Sequence, residues 1–325
     1  MTAKDNTGTK RPLIILTGPT AVGKTALSIG LAKAIQGEII SADSMQVYRG
    51  MDIGTAKITK EQMDGVPHHL IDIMDPSDSF HVMAFQQKCK EAMEDIYARH
   101  KIPILVGGTG FYIQSVLYDI SFTETDTDIE YRQKLQKIAE EQGGYVLHAR
   151  LAKIDPEAAD EIHPNNVKRV IRALEFNHQT GEKISIHNEQ ERQKKSPYQF
   201  RYYVLSLPRE ILYDRINRRV DVMRRDGLVD EVKGLLQQGI TPNMVSMQGL
   251  GYKEIIDALQ GSCSFEEAFE RIKRETRHFA KRQFTWFRRE RDVTWIDKET
   301  YENEDAILQY MIEDLKNAYI LPADQ

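Results

Sequence analysis

Cysteine is scarce in this sequence. Two of the 325 residues are cysteines, Cys89 and Cys263, and they lie far apart. That spacing excludes a disulfide framework and a zinc site of paired cysteines, so we expect a reducing compartment, the cytoplasm. Long apolar runs are missing as well, because residues 1–12 are polar and only the short run 13–17 precedes Gly18. The N-terminus therefore predicts neither a signal peptide nor a membrane span, and no membrane partner is expected.

An excess of positive charge is also lacking. The net charge is -5 at pH 7 and the isoelectric point is about 6.0. Binding to nucleic acid therefore requires a local basic patch, since the whole chain does not supply one. The composition, 41% hydrophobic and 29% charged, is ordinary for a globular protein and excludes a disordered or fibrous chain. The length suits one large or two modest domains.

Short apolar segments alternate with helical ones in the first third of the chain. The runs 13–17, 38–42 and 102–106 are rich in Ile, Leu and Val, which is typical of buried parallel strands. Segments 25–35 and 83–100 have apolar residues at helical spacing. This alternation predicts an α/β fold, a parallel sheet flanked by helices.

The pattern changes after about residue 122. Residues 128–181 are highly charged and helical in pattern, and the β-prone run 201–207 follows. We therefore predict a flexible tail at 1–11, a catalytic core formed by 12–122 and 201–325, and an all-helical insertion domain at 123–200. Within the second part of the core, the periodicity predicts three further helices: 214–236, 251–259 and 265–289.

A phosphate-binding loop follows the first predicted strand. The motif G-x-x-x-x-G-K-[ST] is matched by Gly18, Pro19, Thr20, Ala21, Val22, Gly23, Lys24 and Thr25, between a strand and a helix. The glycines let backbone N–H groups surround a phosphate, the helix N-terminus adds partial positive charge, and Lys24 adds a full one. The Thr25 hydroxyl is placed to ligate Mg²⁺. The motif predicts binding of a polyphosphate without saying which one, and competition by a triphosphate such as ATP stays open.

The carboxylate that many P-loop ATPases use for Mg²⁺ is missing from its usual place. The strand 102–106 ends in Gly107-Gly108-Thr109-Gly110, and Asp72 is the remaining candidate. This disfavours a motor or switch ATPase and leaves a small-molecule kinase or a transferase that binds a diphosphate. His68 and His69 are adjacent in a short strand, so they point to opposite faces, which favours structural roles over a shared metal.

Several separate motifs occur together in one order. They are Asp43-Ser44-Met45-Gln46-Val47-Tyr48-Arg49, Gly54-Thr55-Ala56-Lys57, Pro67-His68-His69-Leu70-Ile71-Asp72, Gly107-Gly108-Thr109-Gly110, Ala280-Lys281-Arg282-Gln283 and Thr285-Trp286-Phe287-Arg288. From about residue 12 to about 300 the sequence resembles the bacterial tRNA dimethylallyltransferases. The resemblance implies a P-loop NTPase-like core in which the loop binds dimethylallyl diphosphate. It also implies transfer of the prenyl group to N6 of adenosine 37, the nucleotide 3′ of the anticodon.

The resemblance assigns four catalytic residues. It implies that Asp43 takes a proton from the adenine amine, although an Asp-Ser after a strand is by position more often a helix cap. It implies that the Thr109 hydroxyl bridges amine and diphosphate, where a turn threonine is the alternative. It also implies that an arginine near 215–219 binds diphosphate. We favour Arg219, then Arg215, with Arg218 close by and a solvated basic face as the alternative.

A basic segment lies near the C-terminus. Between Arg271 and Arg291, nine basic residues stand against two acidic ones, with four large aromatic residues interleaved. This predicts a helix with one face on the core and the other on RNA phosphates, or an ordinary amphipathic helix. The basic segment itself supplies Lys281 and Arg282 as candidate RNA contacts. The resemblance implies contacts of the anticodon stem-loop with Asp43, Ser44, Met45, Gln46, Thr109, Arg132, Val167, Lys168, Arg169, Val170, Arg172, Met247, Gln248, Gly249, Leu250, Gly251 and Tyr252.

Three other functions compete with tRNA prenyl transfer. A P-loop small-molecule kinase would turn over ATP, and a prenyltransferase for free adenine nucleotides would have little use for the basic segment or the insertion. A non-enzymatic RNA-binding module would leave the phosphate-binding loop without a role. We expect Mg²⁺ as the cofactor, tRNA and dimethylallyl diphosphate as partners, and a monomer.

Overall fold

The computed structural model describes residues 10–122 and 128–322. The chain divides into two units, one formed by Met1–Leu117 with Pro197–Gln325 and the other by Tyr118–Ser196. These boundaries fall a few residues before those that the sequence predicts. Residues 1–9 of the predicted tail lie outside the described residues. The end of that tail is fixed, because Arg11 donates to both carboxylate oxygens of Glu94, at 2.6 and 2.7 Å, and its guanidinium lies over the Tyr97 ring.

The first unit is built on a six-stranded parallel sheet, which confirms the predicted α/β class. Its strands are β1 (Pro12–Thr17), β2 (Glu38–Ala42), β3 (His68–His69), β4 (Pro103–Gly107), β5 (Gln199–Ser206) and β6 (Val293–Asp297), in the order β3-β2-β4-β1-β5-β6. Four consecutive residues of β1, Leu13 to Leu16, are fully buried. Burial of both faces of a strand is expected where helices cover both sides of a parallel sheet.

The helices are α1 (Lys24–Ile35), α2 (Val82–Ala98), α3 (Gly110–Leu117), α4 (Ile129–Gln142), α5 (Gly144–Ile154), α6 (Pro156–Glu161), α7 (Val167–Thr180), α8 (Ile184–Gln193), α9 (Arg209–Arg225), α10 (Leu228–Gln237), α11 (Tyr252–Leu259), α12 (Phe265–Phe287) and α13 (Glu304–Asn317). Helices α4 to α8 form the second unit around a leucine-rich core that includes Leu135, Leu147 and Leu174. No helix in the described part of the chain is long and apolar enough to cross a membrane.

The prediction of one helix over 214–236 is wrong. Gly227 has φ +99°, a left-handed conformation that a helix interior does not allow, and it separates α9 from α10. Helix α13 was not predicted, although Ile307, Met311 and Leu315 recur every four residues and all three are buried. Strand β6 was not predicted either; it is a short edge strand in which Trp295 is partly exposed.

A buried carboxylate joins three basic side chains at the start of β2. Glu38 accepts hydrogen bonds from Arg99 Nη2 at 2.7 Å and Lys101 Nζ at 2.9 Å, and His69 Nε2 lies 2.7 Å from it. Burial alone raises the pKa of Glu38, but the hydrogen bonds from Arg99, His69 and Lys101 outweigh burial and lower it to about 2. His68 contacts the Val66 carbonyl instead, so the two histidines have separate structural contacts.

The low pKa makes Glu38 a pH-dependent source of stability. The unfolded carboxyl titrates near 4.5, so its contribution is fully present above that value and is lost as the pH falls toward 2. We expect Glu38→Gln to lower the free energy of unfolding at pH 7 by about 3 kcal/mol, and by progressively less from pH 5 to pH 3. Urea unfolding of both proteins between pH 3 and pH 7 measures this difference in the free energy of unfolding. Glu94→Gln, at an exposed ion pair, is the control, and an equal, pH-independent loss in both variants would contradict the prediction.

Candidate active site at the carboxyl edge of the sheet

Three neighbouring strands end at the same level. Thr17 of β1 pairs with Gly107 of β4, and Gly107 pairs with Ala42 of β2. The loops that begin at Gly18, Gly108 and Asp43 therefore leave the sheet side by side. The Thr17 hydroxyl donates to the Gly107 carbonyl at 2.6 Å, and a Cβ on Gly107 would lie 2.3 Å from the Ala42 carbonyl oxygen. The carboxyl edge of parallel strands, where the strand order reverses between β1 and β4, is where α/β proteins bind ligands.

The phosphate-binding loop has the geometry that its motif predicts. Gly18 has φ +144°, and a Cβ there would lie 2.6 Å from the Leu205 carbonyl oxygen, so only glycine fits. Helix α1 begins at Lys24, and the N–H groups of its first turn have no partners within the helix. The loop and this helix N-terminus together form a site for an anion.

Lys24 turns back onto its own loop. Its Nζ donates to the carbonyls of Gly18 and Pro19, each at 2.9 Å. The pKa of Lys24 is lowered to about 7, chiefly by burial and also by the nearby Arg219, while Asp43 opposes the shift. Lys24, Arg219 and Asp43 are thus close enough to influence one another. An arriving polyphosphate would give Lys24 the counterion that the loop carbonyls supply only in part.

Arg219 faces the loop from α9. Its Nη1 donates to the Thr20 hydroxyl at 3.3 Å, and burial lowers the pKa of this guanidinium. A desolvated arginine beside a phosphate-binding loop is suited to an anionic ligand. Arg215 is exposed, with Nη1 3.7 Å from where a Cβ on Gly23 would lie, and Arg218 pairs with Asp214 at 2.9 Å. Both Arg215 and Arg219 are therefore close to the loop, and Arg219 donates a hydrogen bond to it.

Asp43 makes the cap contacts that the sequence analysis gave as the alternative to a catalytic role. Its Oδ1 accepts hydrogen bonds from the N–H groups of Met45, at 2.8 Å, and Gln46, at 3.3 Å, as a cap does. Within residues 10–122 and 128–322, no hydrogen bond engages Oδ2 of Asp43. One carboxylate oxygen therefore holds the loop, and the other is free to accept a proton. Thr109 is adjacent, because its N–H donates to the Ala42 carbonyl at 3.2 Å.

Two site residues carried no assigned role in the sequence analysis. Gln283 on α12 accepts a hydrogen bond from the Thr20 N–H at 2.9 Å and donates one to the Gly108 carbonyl at 3.0 Å. Trp286, three residues later, packs on Gly110 so closely that a Cβ there would lie 2.2 Å from the indole. Gln283 and Trp286 belong to two of the motifs on which the family resemblance depends, but the count of basic residues in this segment gave no indication of their contacts.

The donor set for Mg²⁺ is small. Thr25 is exposed at the start of α1, and no group of three or more His, Cys, Asp or Glu side chains among the described residues is placed to hold a metal ion. Asp72, the alternative from the sequence, accepts from Lys57 Nζ at 2.6 Å. One hydroxyl fits a Mg²⁺ that takes its other ligands from substrate phosphates and water, which is how this ion usually binds.

Comparison with known proteins agrees with this geometry. The IPP transferase family matches residues 46–290. The chain is 57% identical to the tRNA dimethylallyltransferase of Lachnoclostridium phytofermentans over 311 residues, which is 96% of this chain and 99% of that protein. The chain belongs to the IPP transferase family.

Solved structures support the same assignment. The tRNA isopentenylpyrophosphate transferase of Bacillus halodurans is 46% identical, with a TM-score of 0.71, and the match covers 96% of this chain and 99% of that one. A eukaryotic dimethylallyltransferase acting on tRNA is 31% identical, with a TM-score of 0.81, over 97% of this chain and 81% of that one.

In this IPP transferase, two of the segments expected at RNA lie together. A Cβ on Gly249 would lie 2.5 Å from Cε of Met45, so the loop after Asp43 contacts the segment that leads into α11. Glu231 reinforces this arrangement. Its carboxylate accepts hydrogen bonds from the N–H groups of Asp52, Ile53 and Gly54, at 2.8, 2.7 and 3.1 Å, and from the Tyr252 hydroxyl at 2.7 Å.

Three of the side chains expected to contact RNA are buried. Val170 and Met247 are fully buried, and Tyr252 is 1% exposed. These three side chains face inward, so contact of RNA with them stays a prediction that their burial does not favour. Ser44, Met45 and Gln46 are half-buried, Gln248 is exposed, and Gly249 and Leu250 are half-buried.

The insertion unit of this IPP transferase presents three exposed basic residues at one end of α7. Lys168, Arg169 and Arg172 are exposed, while Val167 packs against the core of the unit. Arg132 has a partner within the unit, since it donates to both carboxylate oxygens of the buried Glu175, at 2.6 and 2.9 Å. Arg132 therefore also stabilises the unit by neutralising a buried charge.

The basic segment lies on α12 as far as Phe287 and continues beyond the helix end, and its two halves differ. In the first half, Arg271 pairs with Asp257 at 3.1 Å, Lys273 pairs with Asp221 at 2.8 Å, and Arg277 donates to Asn217. The second half borders a groove of about 450 Å³, lined by His278, Lys281, Arg282, Thr285, Trp286 and Arg289. Several of the basic residues counted in the sequence therefore have acidic or polar partners within the protein.

Proposed function

We propose that this protein is a tRNA dimethylallyltransferase that modifies N6 of adenosine 37 in the anticodon stem-loop. The bond from C1 of the dimethylallyl group to the diphosphate oxygen breaks, and a bond from C1 to N6 forms. The amine loses one proton, and diphosphate leaves. The observation that carries the proposal is that the loops beginning at Gly18, Gly108 and Asp43 leave the sheet at the same level. The loop proposed to bind diphosphate and the carboxylate proposed to accept the proton therefore lie at one edge of the sheet.

Charge neutralisation of the leaving group is the largest requirement, because diphosphate carries the developing negative charge. The loop amides, Lys24 and Arg219 supply it from fixed positions. A Mg²⁺ held by Thr25 and the substrate oxygens would add further positive charge when bound. The half-buried surroundings of Lys24 also limit access of water, which would otherwise compete for the cation-like allylic carbon.

Proton removal falls to Asp43. The exocyclic amine of adenine is a weak nucleophile because its lone pair is conjugated with the ring, so a base must accept its proton as the new bond forms. Oδ2 of Asp43 is available for this, while Oδ1 keeps the loop in place. The Thr109 hydroxyl is proposed to lie between the amine and the diphosphate.

The partner is proposed to be a tRNA anticodon stem-loop. A base in a loop is turned out of its stack at modest cost, so an enzyme can receive it in a pocket. The exposed residues Lys281 and Arg282 are proposed to contact RNA phosphates. Since the loop, Asp43, Thr109 and Arg219 all come from one chain, we propose a monomer acting on tRNA in the cytoplasm.

Mass analysis of RNA tests the proposal. An anticodon stem-loop with adenosine at position 37 is incubated with the protein, Mg²⁺ and dimethylallyl diphosphate, beside a matched stem-loop with guanosine at that position. We expect a gain of one dimethylallyl group on the first RNA only. Prenylation of free AMP in preference to the stem-loop, or transfer of phosphate from ATP, would overturn the proposal in favour of the corresponding alternative.

Salt dependence tests the RNA-binding half of α12. Phosphate contacts release counterions, so the affinity for the stem-loop falls steeply with salt. We expect Arg282→Ala to weaken binding and reduce the slope of log affinity against log salt by about one. Arg271→Ala, on the same helix but paired with Asp257, is the matched control and leaves the slope unchanged. Equal slopes in all three proteins would contradict this placement of the RNA surface.

A further inference from the structure

Gln283 connects two loops that are far apart in sequence. Its side chain is buried, and each end of the amide group is used: Oε1 accepts from the Thr20 N–H at 2.9 Å, and Nε2 donates to the Gly108 carbonyl at 3.0 Å. Thr20 belongs to the phosphate-binding loop and Gly108 to the loop after β4. The orientation of the amide is determined by its partners, because one is a donor and the other an acceptor.

Each residue that Gln283 contacts is in turn close to a group that takes part in the proposed reaction. The Thr20 hydroxyl accepts from Arg219, which is on the diphosphate side. Gly108 precedes Thr109, whose N–H donates to the carbonyl of Ala42, the residue before Asp43, on the amine side. A single side chain therefore lies between the part of the site that binds the leaving group and the part that receives the nucleophile.

The fit around Gln283 is close. A Cβ on Gly108 would lie 2.2 Å from Nε2, and a Cβ on Gly110 would lie 2.2 Å from the indole of Trp286, one turn along α12. Little room remains for α12 to shift along the glycine loop. Close packing of this kind limits each group to one position.

We propose that Gln283 is a positioning residue that sets the distance between the departing diphosphate and the accepting amine. The inference rests on the proposed function. Displacing either loop by about 1 Å costs about 10²-fold in rate when the reacting atoms must be aligned. Gln283 itself contacts neither substrate, and apart from the Thr20 amide and the Gly108 carbonyl it touches none of the groups proposed to bind them. The cost of losing Gln283 therefore falls on kcat and not on the KM for either substrate.

The test substitutes Gln283→Met, which keeps the length of the side chain and removes both hydrogen bonds. We expect kcat for prenyl transfer to fall about 10²-fold, with KM for dimethylallyl diphosphate and for the stem-loop unchanged. Gln283→Glu keeps an acceptor for Thr20 but has no donor for Gly108, so it does not restore kcat. Gln199→Met is the matched control, because Gln199 donates to the Ala318 and Tyr319 carbonyls, and it leaves kcat unchanged.

A product ratio separates positioning from loss of structure. When the amine is displaced, water takes its place at C1, and the products are dimethylallyl alcohol, diphosphate and a proton. We expect the ratio of alcohol to prenylated RNA to rise in Gln283→Met and to stay low in Gln199→Met. If Gln283→Met does not fold, kcat and the product ratio are measured in Gly108→Ala instead, because its methyl group displaces Nε2 of Gln283.

An unchanged kcat in a folded Gln283→Met protein would overturn the inference. So would a fall in kcat with an unchanged product ratio, because it would follow from a loss of active protein. Failure of the unsubstituted protein to prenylate the stem-loop would instead refute the proposed function, so the two failures are distinguishable.

Discussion

Replacing Asp43 with asparagine lowers kcat for prenyl transfer by about 10²–10⁴-fold, the usual contribution of a general base. The asparagine oxygen still accepts from the N–H groups of Met45 and Gln46, so the loop keeps its conformation. The amide cannot take the proton of the amine at neutral pH. Single-turnover prenylation of the stem-loop measures the loss, and the affinity for RNA is expected to stay unchanged.

Asp43→Ala separates the two roles of this residue. It removes both the base and the cap, and loss of a cap costs about 1 kcal/mol of local stability. We expect Asp43→Asn and Asp43→Ala to have equal kcat if the proton-accepting role of Asp43 matters more for turnover than its cap. An active asparagine variant beside an inactive alanine variant would show that Asp43 serves only to hold its loop.

Lys24→Met is expected to lower kcat by about 10²–10³-fold, since it removes a fixed positive charge from the leaving diphosphate. A methionine of similar length fills the same space but also loses the two hydrogen bonds to the Gly18 and Pro19 carbonyls. Lys33→Met, at the exposed end of the same helix, is the matched control and leaves kcat unchanged. An unchanged rate in Lys24→Met would exclude Lys24 from stabilisation of the leaving group.

The same residue links diphosphate binding to proton uptake. The pKa of Lys24 is lowered to about 7 in the free protein, chiefly by burial, and a bound anion raises it. Below pH 7 the lysine is already charged, whereas above pH 7 it must gain a proton as diphosphate binds. Calorimetry with inorganic pyrophosphate in buffers of different ionisation heat measures this uptake. We expect uptake above pH 7 in the unsubstituted protein that exceeds the uptake in Lys24→Met.

The core of the site was predictable because its signals are local. The apolar run before Gly18 and the spacing of Gly18, Gly23 and Lys24 specify a strand, a loop and a helix within residues 12–35. The run 38–42 and the glycines after β4 place Asp43 and Thr109 at the same edge, because parallel strands end together. The resemblance then assigned roles to residues that spacing alone left open.

The remaining features depend on contacts between distant parts of the chain. Nothing near Gln283 in the sequence indicates that its amide reaches both Thr20 and Gly108. Nothing near Arg271 indicates that Asp257 neutralises it, so counting charges does not show which basic residues already have partners. Val170 and Met247 face inward because of how their units pack, and a list of residues inherited from a family does not separate supporting side chains from contacting ones.

The order of the strands limits how this protein could evolve toward other donors. β4 lies between β2 and β1, so the start of the Asp43 loop and the start of the phosphate-binding loop are two strand spacings apart, about 10 Å. Backbone hydrogen bonds across the sheet maintain that width, and no side-chain substitution alters it. A longer isoprenoid would therefore require smaller side chains around the pocket. The distance between the starts of the Asp43 loop and the phosphate-binding loop would stay the same.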